Sequence, residues 1–162
     1  MKITEPPRSP AQRKRDVLAR LERELDIWVA TADGDGLPCL VALWFVWDGE
    51  SVWMSTRVTN PTGRNLRDGG RTRLAFGDTQ DVVLVDGDVE CFDGDVECFD
   101  GQEGRDLPAA AAAAFVAKTG WDPTRTGAAY AFFRVRPRAV QAWHGEHELR
   151  GRHVMRDGVW AV

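Results

Sequence analysis

The chain alternates apolar runs of strand length with tight-turn sequences, and this pattern restricts it to a small antiparallel β-fold. The clearest run is LPCLVALWFVW at residues 37–47, which follows the turn sequence DGDG and precedes an Asp-Gly pair. Aspartate–glycine pairs between apolar runs are typical of hairpin turns. Comparable runs predict strands at residues 27–32, 51–55, 71–76, 82–86, 128–135 and 139–143, and a short hairpin at residues 151–162.

Two or three short helices are expected outside this sheet. Residues 10–25 place apolar side chains at spacings of three and four, with Ser9 as the predicted N-cap. Residues 59–70 predict a short helix that ends at two glycines, and the alanine-rich residues 107–119 predict another. The predicted fold is therefore mainly β, an antiparallel barrel of six or seven strands with helices packed outside.

Length and charge exclude several classes of protein. The 162 residues fit one domain, for which we expect residues 10–162, preceded by a flexible arm at residues 1–9. The net charge of −4 gives no general attraction to nucleic acid or to an anionic membrane, so neither is expected as a partner. The apolar runs are too short to span a bilayer, and the N-terminus lacks the apolar core of a signal peptide. We therefore expect a cytoplasmic protein.

No metal site is predicted. Two of the three cysteines, Cys91 and Cys98, are copies of each other within a repeat, which argues against a disulfide framework or a cysteine-based metal site. His144, His147 and His153 lie close together in the sequence, but no helix is indicated that would place them as ligands. A role at the surface or at the rim of a pocket is expected for these histidines.

Residues 87–100 read GDVECFDGDVECFD, which is one heptapeptide written twice. Strand side chains alternate between two faces and seven is an odd number. One strand through both copies would therefore bury Glu97 where the first copy buries an apolar residue. The surplus residues are expected either to loop out before the helix at residues 107–119 or to form a hairpin that turns at Asp93-Gly94. We interpret the duplication as an insertion tolerated at the end of a strand, not as a functional motif.

The segment STRVTNPTGRNL at residues 55–66 predicts an anion-binding site. It combines the end of a strand with the first turn of a helix, where free backbone N–H groups carry a partial positive charge. Arginine adds a bidentate donor that matches phosphate. The alternative is a polar turn with its arginines on a solvated helix face. The residues of interest are Ser55, Thr56, Arg57, Thr62 and Arg64, with Gly63 allowing a ligand to approach the backbone.

Four motifs occur in order along residues 15–145. A helix leads into IWVAT, LPCLVALWFVW forms the next strand, WMST is followed by GRNL and RTRLAF, and FFRVRPRAVQAW comes late in the chain. This arrangement resembles the pyridoxamine 5'-phosphate oxidase-like family, the flavin-binding split barrels. The resemblance implies a split barrel, an FMN cofactor and an oxidoreductase of unknown substrate. It also implies a homodimer with the flavin in the cleft between the subunits.

The resemblance also assigns residues to the flavin. Ser55, Thr56 and Arg57 would lie beside the ribityl-phosphate, and Thr62, Gly63, Arg64 and Asn65 would surround the phosphate. Many relatives carry a lysine where this chain has Thr62, so one cation of the family pattern is absent. Trp143 is the tryptophan best placed in the sequence to line a flavin pocket, whereas Trp28 and Trp53 are expected to fill the barrel core.

Three alternatives stay open at this point. A deazaflavin takes the place of FMN in some relatives on the same fold. A flavin- or haem-binding module without turnover would share the same sequence pattern. A barrel that has lost its cofactor would serve as an interaction domain. No catalytic residue is predicted, because in flavin enzymes the cofactor carries the reaction and the protein supplies position and electrostatics. Oxidation of pyridoxamine phosphate itself is not expected, since no second basic cluster is evident near the C-terminus.

Overall fold

The computed structural model describes residues 5–92, 107–126 and 129–162. Within these residues, eight β-strands form one antiparallel sheet, and three α-helices pack outside it. The helices are α1 (Pro10–Arg23), α2 (Pro61–Gly69) and α3 (Ala109–Thr119). The strands are β1 (Asp26–Ala32), β2 (Pro38–Trp47), β3 (Val52–Arg57), β4 (Arg71–Ala75), β5 (Val82–Phe92), β6 (Tyr130–Trp143), β7 (His153–Arg156) and β8 (Val159–Trp160).

Pairing between β3 and β6 closes six of these strands into a barrel. The sheet order is β3-β2-β1-β4-β5-β6-β7-β8, and β3 also pairs with β6 from Val52↔Val135 to Arg57↔Tyr130. Alternate side chains of every barrel strand point inward, and Val29, Phe45 and Phe133 are fully buried there. The predicted fold class, mainly β with an antiparallel barrel and external helices, is confirmed. β7 and β8 extend the sheet as the hairpin predicted near the C-terminus.

The predicted break at Pro137 was wrong, because β6 is one strand of 14 residues. Opposite β5, the register passes from Asp86↔Ala139 to Gly87↔Pro137, so that Arg138 is an extra residue in a β-bulge. A bulge interrupts the ladder locally, and proline, which has no N–H to donate, is tolerated there. The strand is therefore bent at the proline but not ended by it.

β5 also runs further than expected, to Phe92 instead of residue 86. The first copy of the repeat is thus part of the barrel, since its residues from Gly87 to Phe92 pair with β6. Val83, Val85 and Cys91 share the inward face of β5, so the alternation continues across the repeat boundary. The two conformations predicted for the surplus residues lie outside the described residues.

A buried carboxylate, Glu148, joins the start of the chain to the region after β6. Its side chain is 1% exposed. It accepts hydrogen bonds from the backbone N–H and the guanidinium of Arg8, with Arg8 Nη2 at 2.8 Å from Oε2, and from the backbone N–H of His144, also at 2.8 Å. Arg13 Nη1 donates to the carbonyl oxygens of Ala142 and Glu148 at 3.2 and 3.0 Å. Arg8 belongs to the segment predicted as a flexible arm, and here its side chain is anchored on the domain.

The same contacts make this carboxyl group unusually acidic. Burial opposes the ionised form of Glu148, but the hydrogen bonds from Arg8 and from the His144 backbone outweigh it and lower its pKa from 4.5 to about 2. In the unfolded chain the carboxyl group regains its ordinary pKa, so acid protonates the unfolded state first. The contribution of Glu148 to stability is therefore present above pH 4.5 and is lost as the pH falls toward about 2.

Glu148→Gln should lower the free energy of unfolding by about 3 kcal/mol at pH 7, because it leaves the partly buried Arg8 and the buried Arg13 side chains without their anion. Urea titrations at pH 7 and at pH 3 measure this, and the difference between the two proteins should shrink at the lower pH. Glu146→Gln is the matched control, since Glu146 is exposed in the same short segment. An equal effect of both substitutions would contradict the assigned role.

Candidate functional site

The first turn of α2 lies beside the end of β3 and leaves its backbone donors available. Asn60 is the N-cap residue, but its side chain makes no capping hydrogen bond. Its Nδ2 instead donates to Thr56 Oγ1 at 3.5 Å. The N-cap side chain therefore does not satisfy the first-turn N–H groups of Thr62 and Gly63, which lie at the positive end of the helix dipole, while Pro61 has no N–H.

Two arginines stand at this helix end without a carboxylate partner among the described residues. Arg57 Nε donates to Tyr130 Oη at 3.3 Å, and the guanidinium carbon lies 5.6 Å from the centre of the Tyr130 ring. Arg64 Nη1 donates to the carbonyl oxygen of Thr59 at 3.0 Å. Both side chains are exposed. Their charges are not neutralised by a carboxylate of the described residues, and their predicted contact with a phosphate stays a prediction.

Thr62, Gly63 and Asn65 form the inner side of α2 and hold the helix against the barrel. Thr62 Oγ1 lies 3.4 Å from Cys39 Sγ on β2, and Asn65 Nδ2 donates to Thr31 Oγ1 on β1 at 3.1 Å. A Cβ atom at Gly63 would overlap the carbonyl oxygen of Arg57. These residues therefore position the helix end, and their predicted contact with a phosphate stays a prediction.

The two hydroxyl residues of β3 border the same place from the barrel side. Ser55 and Thr56 are both buried at 5% exposure. Ser55 Oγ donates to the carbonyl oxygen of Ala131 at 2.8 Å, and Thr56 Oγ1 accepts from Asn60. Thr56 thus contacts the N-cap residue of α2, whereas the Ser55 hydroxyl is held by β6.

A cavity of about 330 Å³ opens next to these residues. Its polar side is formed by Ser55, Thr56 and Asn60. Its other walls are aromatic and are contributed by β2, α3, the loop after α3 and β6. These walls include Trp44, Phe115, Trp121 and Tyr130.

Trp121 was not identified from the sequence. It follows the end of α3 at Gly120 and turns back over β6, where its ring meets Tyr130 edge-on at 5.0 Å and Trp44 at 6.4 Å. Thr119 Oγ1 accepts from the Trp121 backbone N–H at 3.2 Å and so fixes the turn. A tryptophan shortly after a helix is a weak signal, because nothing local indicates the surface that it will cover.

Trp143 is not brought to this cavity within one chain. Tyr130 pairs with Arg57 at one end of β6, whereas Trp143 pairs with Val82 at the other end. At about 3.3 Å per residue the two ends are roughly 40 Å apart along the strand. The predicted contact of Trp143 with a flavin stays a prediction that requires a second subunit.

The two tryptophans expected in the core have different positions. Trp53 is buried, but with Phe92 and Phe115 in a separate cluster under α3 and not in the barrel core, and its ring lies 5.1 Å from that of Phe92. Trp28 is 43% exposed. The predicted core position of Trp28 was wrong. The buried residues of β1 are Ile27, Val29 and Thr31, so Trp28 lies on the outer face of the strand.

A second, larger groove of about 720 Å³ lies over β1, β4 and β5. Its charges are mostly neutralised within the chain. Arg73 donates twice to Asp86, at 2.6 and 2.8 Å, and Arg138 Nε lies 3.7 Å from Asp88 Oδ2. Near the cavity beside α2, by contrast, Arg57 and Arg64 are not paired with carboxylates of the described residues.

No cluster of three metal-binding side chains occurs in the part of the chain that the structure describes. His144 Nε2 lies 3.1 Å from Asp81 Oδ1, and Asp81 in turn pairs with Arg20. Among the same residues, the structure contains no helix with the length and apolar character needed to cross a bilayer.

One known protein family matches most of this chain. Residues 14–144 match the model of the family described as pyridoxamine 5'-phosphate oxidase. The chain belongs to this family. The resemblance noted in the sequence is thereby confirmed. A comparison with curated protein sequences found no match.

Solved structures with the family fold differ widely in what they are said to do. A structure named F420 reductase is 23% identical, with a TM-score of 0.57, over 75% of this chain and 93% of that chain. HutZ from Vibrio cholerae, described as a heme storage protein, is 15% identical, with a TM-score of 0.64, over 80% and 94%. A heme binding protein from Mycobacterium smegmatis is 20% identical, with a TM-score of 0.64, over 96% of this chain and 60% of its own. Likeness at these identities shows the fold alone.

Gly63→Ala should destabilise the protein by about 1–3 kcal/mol, because the added methyl group displaces α2 from the Arg57 carbonyl. Gly69→Ala, at the other end of the same helix, has open space around its Cβ position and should be neutral or slightly stabilising. Chemical denaturation of both variants measures the difference. Equal stability of the two variants would show that the close approach at Gly63 is not required.

Proposed function

We propose that the protein is a flavin-dependent oxidoreductase that binds FMN beside the N-terminus of α2. One observation carries the proposal: an aromatic-walled cavity is bordered by Ser55, Thr56 and Asn60, the N-cap residue of α2, and the nearby Arg57 and Arg64 have no carboxylate partner among the described residues. A flavin mononucleotide combines a phosphate with a flat apolar ring. The arginines and the helix end suit the phosphate, and the aromatic walls of the cavity suit the ring.

The residues fit the phosphate group in particular. Arg57 and Arg64 would hold its charge, and the first-turn N–H groups of α2 would donate to its oxygens. Many relatives have a lysine at the position of Thr62, so this chain lacks that positive charge. Arg57, at the end of β3 and next to the same turn, would supply a positive charge in its place. The two arginines together carry two positive charges, which balance the two negative charges of a phosphate monoester.

Trp44, Trp121 and Tyr130 would line the ring and exclude water from it. When bound, the flavin supplies hydride or electron transfer, while the chain binds and orients it. The substrate is proposed to be a small molecule. Pyridoxamine phosphate is not proposed, because the Arg152 guanidinium already donates to Gln141 Oε1 at 2.9 Å and to the Leu149 carbonyl at 3.1 Å.

A deazaflavin is the second candidate cofactor. The likeness to a structure named F420 reductase supports it, as does Thr62 in place of a lysine. Haem is less well supported by this cavity, because its lining includes neither a histidine nor a cysteine among the described residues. A non-catalytic flavin module would use the same contacts and differs only in turnover.

We also propose that the protein is a homodimer with the flavin near the subunit interface. The outer face of β1 and β2 is apolar and open: Leu40 is 61% exposed, Trp44 is 41% exposed, and Trp28 stands opposite Ala42. Monomeric proteins rarely expose such a patch. Trp44 and Ala42 also line the cavity, so a second copy seated here would lie against the cofactor site.

The first experiment is the absorption spectrum of the purified protein, followed by titration with FMN and with a deazaflavin while tryptophan fluorescence is recorded. Saturable quenching by FMN supports the proposal. Quenching by the deazaflavin alone would transfer it to that cofactor. A colourless protein that is indifferent to both would overturn it. Reduction of the bound flavin by NADH or NADPH, assayed with a panel of acceptors, separates an enzyme from a carrier.

Arg64→Ala should weaken FMN binding about ten- to hundredfold, because a charge-assisted hydrogen bond contributes about 1.5–3 kcal/mol. Arg67→Ala is the control on the same helix, since Arg67 pairs with Asp68 at 3.2 Å. The titration above measures both dissociation constants. If both variants bind FMN as the parent does, the phosphate does not lie at the start of α2.

Leu40→Glu should convert the dimer into a monomer, since it places a charge in the centre of the apolar face. Light scattering after size-exclusion chromatography measures the mass in solution. Val159→Glu is the control, because Val159 is 67% exposed on β8, outside this face. A monomeric parent protein, or a dimer that survives Leu40→Glu, would contradict this interface.

A further inference from the structure

The amine of Lys118 is a buried charged group that has no hydrogen-bond partner. Lys118 lies in the last turn of α3 and is the one charged residue of that helix. Its Nζ atom is buried and makes no hydrogen bond within the described residues. It lies 3.9 Å from the centre of the ring of Phe45, which belongs to the barrel core. An aromatic ring attracts a cation, but it does not replace the hydrogen bonds that water gives to an ammonium group.

Comparable groups elsewhere in the described residues do have partners. Lys14 Nζ lies 5.4 Å from the centre of the Trp160 ring, and it also donates to the carbonyl oxygen of Val162 at 2.6 Å. Arg134 Nε is buried without a partner, but Nη2 of the same guanidinium donates to Glu90 at 2.7 Å. Lys118 has a single nitrogen, so its positive charge is left without any hydrogen bond in the part of the chain that the structure describes.

This position therefore disfavours the charged form of the amine. Burial lowers the pKa of Lys118, and the carboxylates of Glu22 and Glu24, at the end of α1, oppose this shift without cancelling it. The ammonium ion is consequently less stable here than in water. Any movement that brought Nζ into contact with water would be favoured by the hydration of this charge.

The end of α3 is built as a unit that includes two walls of the cavity. Thr119 Oγ1 donates to the carbonyl oxygen of Phe115 at 2.8 Å and accepts from the backbone N–H of Trp121 at 3.2 Å. These bonds join residues 115–121 to one another and not to the barrel. Phe115 and Trp121 both line the cavity, and Lys118 lies midway between them in the sequence. A displacement of Lys118 would therefore move both walls.

Two opposing effects act on this unit. The ring of Phe115 packs edge-on against that of Phe132 at 5.3 Å, and the ring of Trp121 packs against that of Tyr130 at 5.0 Å, so aromatic contacts hold the unit on the barrel. The rest of α3 adds little, because Ala111 is its one other buried residue. The buried charge of Lys118 acts against these contacts.

We propose that residues 115–121 form a gate over the cavity, and that the buried amine of Lys118 sets how often this gate opens. When the gate is closed, the aromatic rings are packed and the amine lacks water. When it opens, the amine becomes hydrated and the cavity becomes accessible between Trp44 and Tyr130. An apolar side chain at position 118 would keep the gate closed for longer. This inference requires the cavity but no particular cofactor.

Hydrogen–deuterium exchange of the full chain, followed by mass spectrometry, tests the gate. In the parent protein, the amides of α3 should exchange faster than those of β6, because the gate opens without opening the barrel. Lys118→Met keeps a long side chain without the charge, and it should slow exchange in α3 about tenfold or more. Lys14→Met is the matched control, since it removes a lysine that has a hydrogen-bond partner, and it should not slow exchange in α3.

Acylation of the parent protein by an N-hydroxysuccinimide ester gives a second measurement that needs no variant. Lys118 should be acylated more slowly than the reference amine of Lys14, yet faster than the amides of β6 exchange. Acylation of Lys118 that occurs only as fast as β6 exchanges would overturn the proposal, because the amine would then be exposed only by unfolding. Exchange in α3 that is unchanged or faster in Lys118→Met would overturn it as well.

Discussion

The pairing of β3 with β6 is the contact on which the rest of the molecule depends. It turns an open sheet into a barrel and so removes two strand edges. Because Arg57 pairs with Tyr130, the same ladder brings the arginine beside α2 to an aromatic ring from a distant part of the sequence. The polar side of the cavity and its aromatic side are therefore joined by barrel closure itself. Neither side would be positioned without it.

The charges of this protein fall into two groups that differ in their partners. Arg8, Arg13 and Glu148 are engaged with one another and with backbone groups in a buried network, and Arg73 is engaged with Asp86 at the surface. The guanidinium groups beside α2 contact only neutral groups within the described residues. A protein with a net negative charge can thus still present a local site for an anion.

Local pattern was sufficient to predict most strands and helices, together with the arginines at the start of α2. The alternation of apolar and polar residues in strands, the turn residues and the Ser9 cap depend only on neighbouring residues. They can therefore be recognised in the sequence alone. The features that the sequence did not predict depend on contacts between distant parts of the chain. Pro137 lies in a bulge that only the partner strand reveals, and Trp121 reaches the cavity by packing across the chain. The contacts of Thr62 with Cys39 and of Asn65 with Thr31 join α2 to strands far away in sequence, so local pattern could not indicate them.

The length and position of β6 have a consequence for motion. This strand lies between β3 and β5 for much of its length and pairs with β7 beyond, so its backbone amides open only when the barrel itself opens. The opposite wall of the cavity, α3, buries only Ala111 and Phe115 among its residues. Thermal fluctuations that admit a molecule to the cavity are therefore expected on the α3 side. Movement of α3 would therefore admit a molecule to the cavity, while β6 keeps the barrel closed.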